Sequence, residues 1–228
     1  MMRTLKNDIV VMGDIHGDFG TLNAFINKRK PKMILQVGDF GYFPHIKPLK
    51  KEKYKKDPTI KAQNTIIHWC DGNHEDHWSL KDRTTDELWP NTFYQPRGSV
   101  ITLEDGRNVM FFGGAESIDK SNRTLGHDWF PEEVITQSDF NNLPDVKIDI
   151  MITHTCPNEF DLTTEGDRWR EYKQKDPSKA ALSYLLEEYS PKHWYFGHYH
   201  FNRSGEYNGT EWDCIDMTFN HNWWMKLK

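Results

Sequence analysis

An α/β fold in a single domain, with two packed sheets and helices outside them, is the architecture this sequence predicts, and three observations predict it. The chain opens strand–helix–strand, with apolar runs at 9–12 and 33–37 around a segment of helical spacing, which favours parallel strands. Around 91–113 the pattern changes to strands with no helix between them. Neither an internal repeat nor a linker rich in Gly, Pro or Ser interrupts the 228 residues, so one domain over 1–228 is the simplest division.

Each element has its own local cause. After the strand at 9–12, residues 18–30 carry Phe19, Leu22, Phe25 and Ile26 at helical spacing and stop before Pro31. A strand at 33–37 follows, then a long polar excursion, then a strand at 66–70. Runs at 99–103 and 108–112 flank Glu104-Asp105-Gly106, a turn signal, and predict a hairpin. The next strand is at 148–152. Asp176-Pro177 then supplies an N-cap and a first-turn proline for a helix ending at Tyr189, with Ala181, Leu182, Leu185, Leu186 and Tyr189 as its buried stripe. Ser190-Pro191 ends it. After a short strand at 194–196, Asn208-Gly209 joins 201–207 to 210–217 as a two-residue hairpin turn.

Composition excludes several classes. A net charge of −5 and a pI near 6.1 argue against general affinity for nucleic-acid backbones. Three cysteines, Cys70, Cys156 and Cys214, form no short-spaced pair, which excludes a disulfide framework and a thiolate zinc site and suits a reducing compartment. No run of about 18 apolar residues is present to span a bilayer, and no signal-like stretch precedes the first strand. A soluble cytoplasmic protein is the expectation. The mean hydropathy of −0.82 is low for a domain with this many strands, and polar loops account for much of it.

The ends of the strands carry the chemistry. Gly-Asp-Ile-His-Gly at 13–17, Gly-Asp at 38–39, Gly-Asn-His-Glu at 72–75, Thr-His at 153–154 and Gly-His-Tyr-His at 197–200 each close an apolar run. Ligands at strand ends converge on one edge of a sheet, where loops carry chemistry on a rigid scaffold. Asp14, His16, Asp39, Asn73, His154, His198 and His200 supply enough oxygen and imidazole donors for two divalent ions sharing a carboxylate. The absence of thiolate favours Mn²⁺, Fe or Zn²⁺ at such a site. With two such ions, two aspartates and a bridging hydroxide, one net positive charge is left to attract a phosphate.

In motif order over nearly its full length, the chain resembles the calcineurin-like metallophosphoesterase superfamily, whose blocks read G-D-x-H, G-D, G-N-H-[ED], an isolated His and G-H-x-H. The resemblance implies a four-layer α/β/β/α sandwich of two mixed sheets with flanking helices. It implies that Asp14, His16, Asp39 and His200 bind one ion and that Asp39, Asn73, His154 and His198 bind a second, with Asp39 bridging. It also makes His74 the non-ligand catalytic histidine. A bridging hydroxide would then attack phosphorus in line, and His74 would protonate the leaving alkoxide.

The pattern breaks in one place. Protein Ser/Thr phosphatases of the superfamily read G-D-x-V-D-R-G in the second block, whereas this chain reads Gly38-Asp39-Phe40-Gly41-Tyr42-Phe43. Both the Asp that would orient the catalytic His and the Arg that would grip phosphate are missing, which argues against that activity. Asp18, Glu75 and Asp76 are near His74 in sequence, without one being singled out. The stretch 113–123, continuing through Trp129-Phe130-Pro131-Glu132-Glu133, resembles the G-G-A-x-S-x-D-x-x-x-R … W-W-x-E-E segment of bacterial and phage-encoded metallophosphoesterases, with Phe130 as a departure. There Arg123 or Lys120 could supply the cationic clamp, or the loop could be a surface segment stapled by its own ion pairs. Lys47, Lys50, Lys51, Lys53, Lys55, Lys56 and Lys61 crowd residues 44–64, a solvated run by preference over a lid for polyanions. His45 and His127 lie in loops that could reach the site.

The expected function is hydrolysis of phosphoesters with two divalent ions, Mn²⁺ foremost, on small phosphodiester or nucleotide substrates. The alternatives are a nuclease or nucleic-acid end-processing enzyme and a non-catalytic scaffold of the same fold. Phe219, Trp223 and Trp224 either cap the core or form an interface.

Overall fold

The computed structural model describes residues 5, 8–45, 59–141, 143–162 and 176–228. Six lysines of the run, 47, 50, 51, 53, 55 and 56, lie outside the described residues. In chain order the elements are β1 (Ile9–Met12), α1 (Phe19–Arg29), β2 (Met33–Gln36), β3 (Ile66–Trp69), α2 (His77–Lys81), β4 (Glu87–Trp89), β5 (Thr92–Tyr94), β6 (Ser99–Thr102), β7 (Asn108–Phe112), β8 (Ile150–Thr153), α3 (Pro177–Tyr189), β9 (His193–Phe196), β10 (Arg203–Tyr207), β11 (Thr210–Cys214) and β12 (Trp224–Lys226).

They form two six-stranded sheets, ordered β12-β1-β2-β3-β5-β4 and β10-β11-β9-β8-β7-β6. In each, four central strands run parallel and both edge strands are antiparallel, so both sheets are mixed. Strand alternation divides the apolar residues among three layers of core. Val10 and Met12 of β1 join Phe19, Leu22, Phe25 and Ile26 of α1 on the outer face of the first sheet. Met110, Phe112, Met151 and Trp194 meet Leu182, Leu185 and Leu186 of α3 on the outer face of the second. Val11, Leu35, Val109, Phe111, Ile150, Ile152 and Tyr195 fill the space between the sheets. The result is the α/β/β/α sandwich.

Some boundaries differ from the apolar runs that announced them. Val37 and Cys70 are buried but lie just past β2 and β3, where the chain has begun to turn into the site. Ile148 precedes β8 and packs under α3, and residues 215–217 extend past the end of β11. Asp18 and Lys30 are the caps of α1: the Asp18 carboxylate accepts from the Thr21 amide, and Lys30 turns left-handed at φ 52°. Trp223 is buried against Phe25, and Trp224 lies in β12 and meets the same ring, whereas Phe219 is exposed. No helix among the described residues is long and apolar enough to cross a membrane. Cys70, Cys156 and Cys214 are all buried.

Candidate metal centre

Parallel strands bring their carboxyl ends to one edge, and the two sheets present those edges side by side. Asp14 and His16 follow β1, Asp39 follows β2, Asn73 and His74 follow β3, His154 follows β8, and His198 and His200 follow β9. The loops are stitched to one another by backbone and buried amide groups. The Asp39 carbonyl accepts from the amides of Ile15 and His16 at 3.0 and 2.7 Å. Gln36, fully buried in β2, donates its Nε2 to the carbonyls of Gly13 and Gly38 and accepts the Gly38 amide on Oε1. Glu75 accepts the amides of Gly41 and Gly72 at 2.9 and 2.6 Å. Its carboxyl is pushed up to about 8 by burial and by the nearby Asp39 charge, against the pull of those amides.

The seven candidate ligands form two clusters that meet at Asp39. In the first, His200 Nε2 is 3.0 Å from Asp14 Oδ2 and 3.2 Å from His16 Nε2, and His16 Nε2 is 3.6 Å from Asp39 Oδ2. In the second, His154 Nε2 lies 3.3 Å from Asp39 Oδ1, 3.1 Å from Asn73 Oδ1 and 3.2 Å from His198 Nδ1. Asp39 thus sends one oxygen to each cluster. His154 Nδ1 faces the Val37 carbonyl at 2.9 Å, which aims Nε2 at the cluster.

These spacings fit divalent cations. Bonds of about 2.0–2.2 Å to one ion set neighbouring donor atoms about 3.0–3.5 Å apart. A Cβ on Gly72 would lie 2.2 Å from Asp39 Oδ1, and one on Gly197 would lie 2.1 Å from Asp14 Oδ1, so side chains there would fill the space the donors need. In the metal-free chain a proton stands in for a cation. Burial alone would lower His154, but the Asp39 carboxylate raises it to about 10, and His154 in turn holds Asp39 well below the usual carboxylate range against its own burial. Burial and the neighbouring His154 drive His198 the other way, towards the neutral imidazole that binds metals.

The backbone at the site is unusual. His16, Asp39, His198 and His200 have φ of 48°, 53°, 67° and 54°, the left-handed region that glycine prefers. Neighbouring hydrogen bonds hold them there, including the pair that Asp14 accepts from the His198 amide, both at 3.2 Å.

Arg123 reaches the centre from the loop after β7. Its Nη2 is 2.7 Å from His74 Nε2 and 2.7 Å from Asp119 Oδ1, and its Nη1 donates to the carbonyls of Asn73 and Asp128. Lys120 pairs with Glu116 on the surface instead. His74 also donates its amide to Asp39 Oδ1. The acids near it in sequence face elsewhere: Asp18 caps α1, Asp76 caps α2 and Glu75 ties two loops. His45 and His127 are exposed, and neither lines the cleft over the clusters. That cleft, about 480 Å³, is lined by Asn73, His74, Arg123, His198, Tyr199 and Phe201 among others.

Gln36 and Glu75 had no role assigned from the sequence alone. Their signal was a polar side chain at the end of an apolar run or beside a ligand, but the partners lie across loops. Ser117 and Glu133 escaped in the same way, although their segment stood out.

A family model for calcineurin-like phosphoesterases matches residues 8–202. No curated protein matches the chain. Among solved structures, it is similar to TT1561 of Thermus thermophilus, at 13% identity over 92% of this chain and 89% of that one, with a TM-score of 0.52. It is also similar to phosphopantetheinyl hydrolase (PptH) from Mycobacterium tuberculosis, at 10% identity over 97% and 96% of the two chains, with a TM-score of 0.51. These likenesses are of fold. With a family model spanning every strand-end block and two mixed sheets holding those blocks at one edge, the chain belongs to the calcineurin-like phosphoesterases.

Proposed function

We propose that this protein hydrolyses phosphodiesters or nucleotides in the cytoplasm with two divalent ions, Mn²⁺ foremost. The observation that carries the reading is the division of Asp39, with Oδ2 towards His16 and Oδ1 towards His154. Asp14, His16, Asp39 and His200 would hold one ion, and Asp39, Asn73, His154 and His198 the other. Ions so held supply an activated water nucleophile and neutralise charge on the phosphoryl oxygens.

The residues around them do the rest. Arg123 is the cation placed to grip a phosphate oxygen, because its guanidinium already lies in the cleft on His74 and its geometry suits forked contact. Arginine only donates, so His74 Nε2 accepts in the resting protein and the imidazole proton sits on Nδ1. A phosphate that draws Arg123 away frees Nε2 to take up a proton from solvent in the open cleft and deliver it to the leaving oxygen. Tyr199 and Phe201, in the lining of the cleft with Tyr199 beside His198, suit a leaving group with a planar apolar face, which favours nucleotides.

The test is hydrolysis of bis-nitrophenyl phosphate and nitrophenyl phosphate by metal-stripped protein before and after Mn²⁺ is restored. Activity that returns with metal and favours the diester is expected. A monoester preference would redirect the substrate search to phosphorylated metabolites, and no activity on either ester with two ions bound would contradict the hydrolase reading.

A further inference from the structure

The segment after β7 does more than deliver Arg123. Its Ser117 and Glu133 are each 1% exposed, and both belong to a chain of hydrogen bonds ending at Asn73. Glu133 Oε1 accepts from the Ser117 amide at 2.6 Å and from Trp129 Nε1 at 3.1 Å, while Oε2 accepts from Ser117 Oγ at 2.7 Å. Ser117 Oγ in turn accepts from Asn73 Nδ2 at 3.1 Å. On its other side the same amide turns Oδ1 to His154 Nε2, 3.1 Å away.

The direction of this chain follows from proton accounting. Burial raises the Glu133 carboxyl to about 7. Above that pH it is ionised and only accepts, so the one hydroxyl hydrogen of Ser117 goes to Glu133. The Ser117 oxygen then has only lone pairs for Asn73, and a lone pair selects the NH₂ end of the amide. An asparagine is nearly symmetric in shape, and either end would fit the space. Only the oxygen end can bind a cation; the NH₂ end would present hydrogens to it.

We infer that Ser117 and Glu133 are positioning residues that decide which atom Asn73 presents to the second cluster. The inference rests on the two-ion reading above. It also gives the segment 113–133 a role distinct from a phosphate clamp: the loop carries Arg123 onto His74 and, through Ser117, sets the orientation of the Asn73 amide beside it. Glu133→Gln is the sharpest probe, because it keeps the shape and reverses the polarity. Its new NH₂ group, in place of Oε2, would donate to Ser117 Oγ. The serine hydrogen would then turn to Asn73, and the amide would flip its NH₂ end towards His154.

The experiment is calorimetric titration of the metal-free chain with Mn²⁺ at about pH 8, above the Glu133 carboxyl, together with thermal melting of the metal-free proteins. Wild type is expected to take two ions. Glu133→Gln and Ser117→Ala should keep one at wild-type affinity and bind the other about 10- to 100-fold more weakly, the loss typical when a group orienting a metal ligand is removed. Ser117→Thr, which keeps the hydroxyl, should restore most of it. Unchanged affinity for both ions in both variants would overturn the inference while leaving the two-ion reading intact. Equal weakening of both ions with a lower metal-free melting temperature would reduce the pair to a loop staple and overturn it too. A wild type that binds fewer than two ions would remove the reading on which it stands, and the inference with it.

Discussion

Arg123 and His74 work as one unit, because a guanidinium 2.7 Å from an imidazole nitrogen dictates which nitrogen carries the proton. His74→Ala should lose most turnover and lose less on nitrophenol esters, whose leaving group needs no proton. Arg123→Ala should cost about 10²-fold in kcat/KM on every ester, since a lost charge-stabilising donor is independent of the leaving group. Steady-state kinetics of both single variants and the double variant check this, and equal His74→Ala losses on poor and good leaving groups would exclude proton delivery. A second residue-scale prediction lies away from the site. Burial holds the His68 imidazole down to about 4 against its ordinary 6.5. The unfolded chain binds that proton below pH about 6.5 and the folded chain only near 4, so this stability is full above 6.5 and is lost as pH falls towards 4, by up to about 3 kcal/mol. His68→Phe should flatten that part of the acid limb in urea melts of the metal-free protein; an unchanged slope would refute it. The candidate ligands were readable because each sits in a short block at a strand end. Gln36, Glu75, Ser117 and Glu133 were not, since a polar side chain does not announce a partner such as the Gly41 amide, 34 residues from Glu75.

At the scale of elements, α1 and α3 were legible from apolar spacing and caps, and the hairpin of β6 and β7 from its turn. The short pieces α2, β4 and β12 were not, because three to five residues carry no period, and β5 was read only as part of the strand pattern that begins near 91. β12 also owes its existence to β1, the far end of the chain, through Val10 opposite Lys226. The loops between elements hold the tightest packing. Gly41 has φ 93°, and a Cβ there would lie 2.2 Å from the Gly17 amide nitrogen, where the loop after β2 crosses the one after β1. Gly106, at φ 87° in the β6–β7 turn, has nothing within 4 Å. Gly106→Ala should cost about 1 kcal/mol from backbone strain alone, and Gly41→Ala about 3 kcal/mol or more. Denaturant midpoints of the two variants measure the difference, and equal losses would mean that the crossing loops yield.

Across the whole molecule, two sheets with parallel centres aim their strand ends at one line, and this is why residues from 14 to 200 can share a site. The sandwich was foreseeable from the order of the elements; which faces meet was not, because strands buried on both sides show little alternation. Divalent ions that bind only the folded chain should raise its stability by mass action, about 2.7 kcal/mol per site at a hundred times the dissociation constant. For a chain of this length, two sites correspond to a rise of more than about 10 °C in Tm, reversed by chelator. A melting temperature indifferent to Mn²⁺ would count against the sites.

The left-handed backbone at His16, Asp39, His198 and His200 has a further consequence, in evolutionary terms. At each position glycine would relieve about 1 kcal/mol of backbone strain, but at Asp39 it would also remove the carboxylate that takes the His74 amide and faces His154. A descendant of this chain released from chemistry would therefore drift to glycine first at His200, the most exposed of the four. Its loss of function would be written there before anything changed in the sheets.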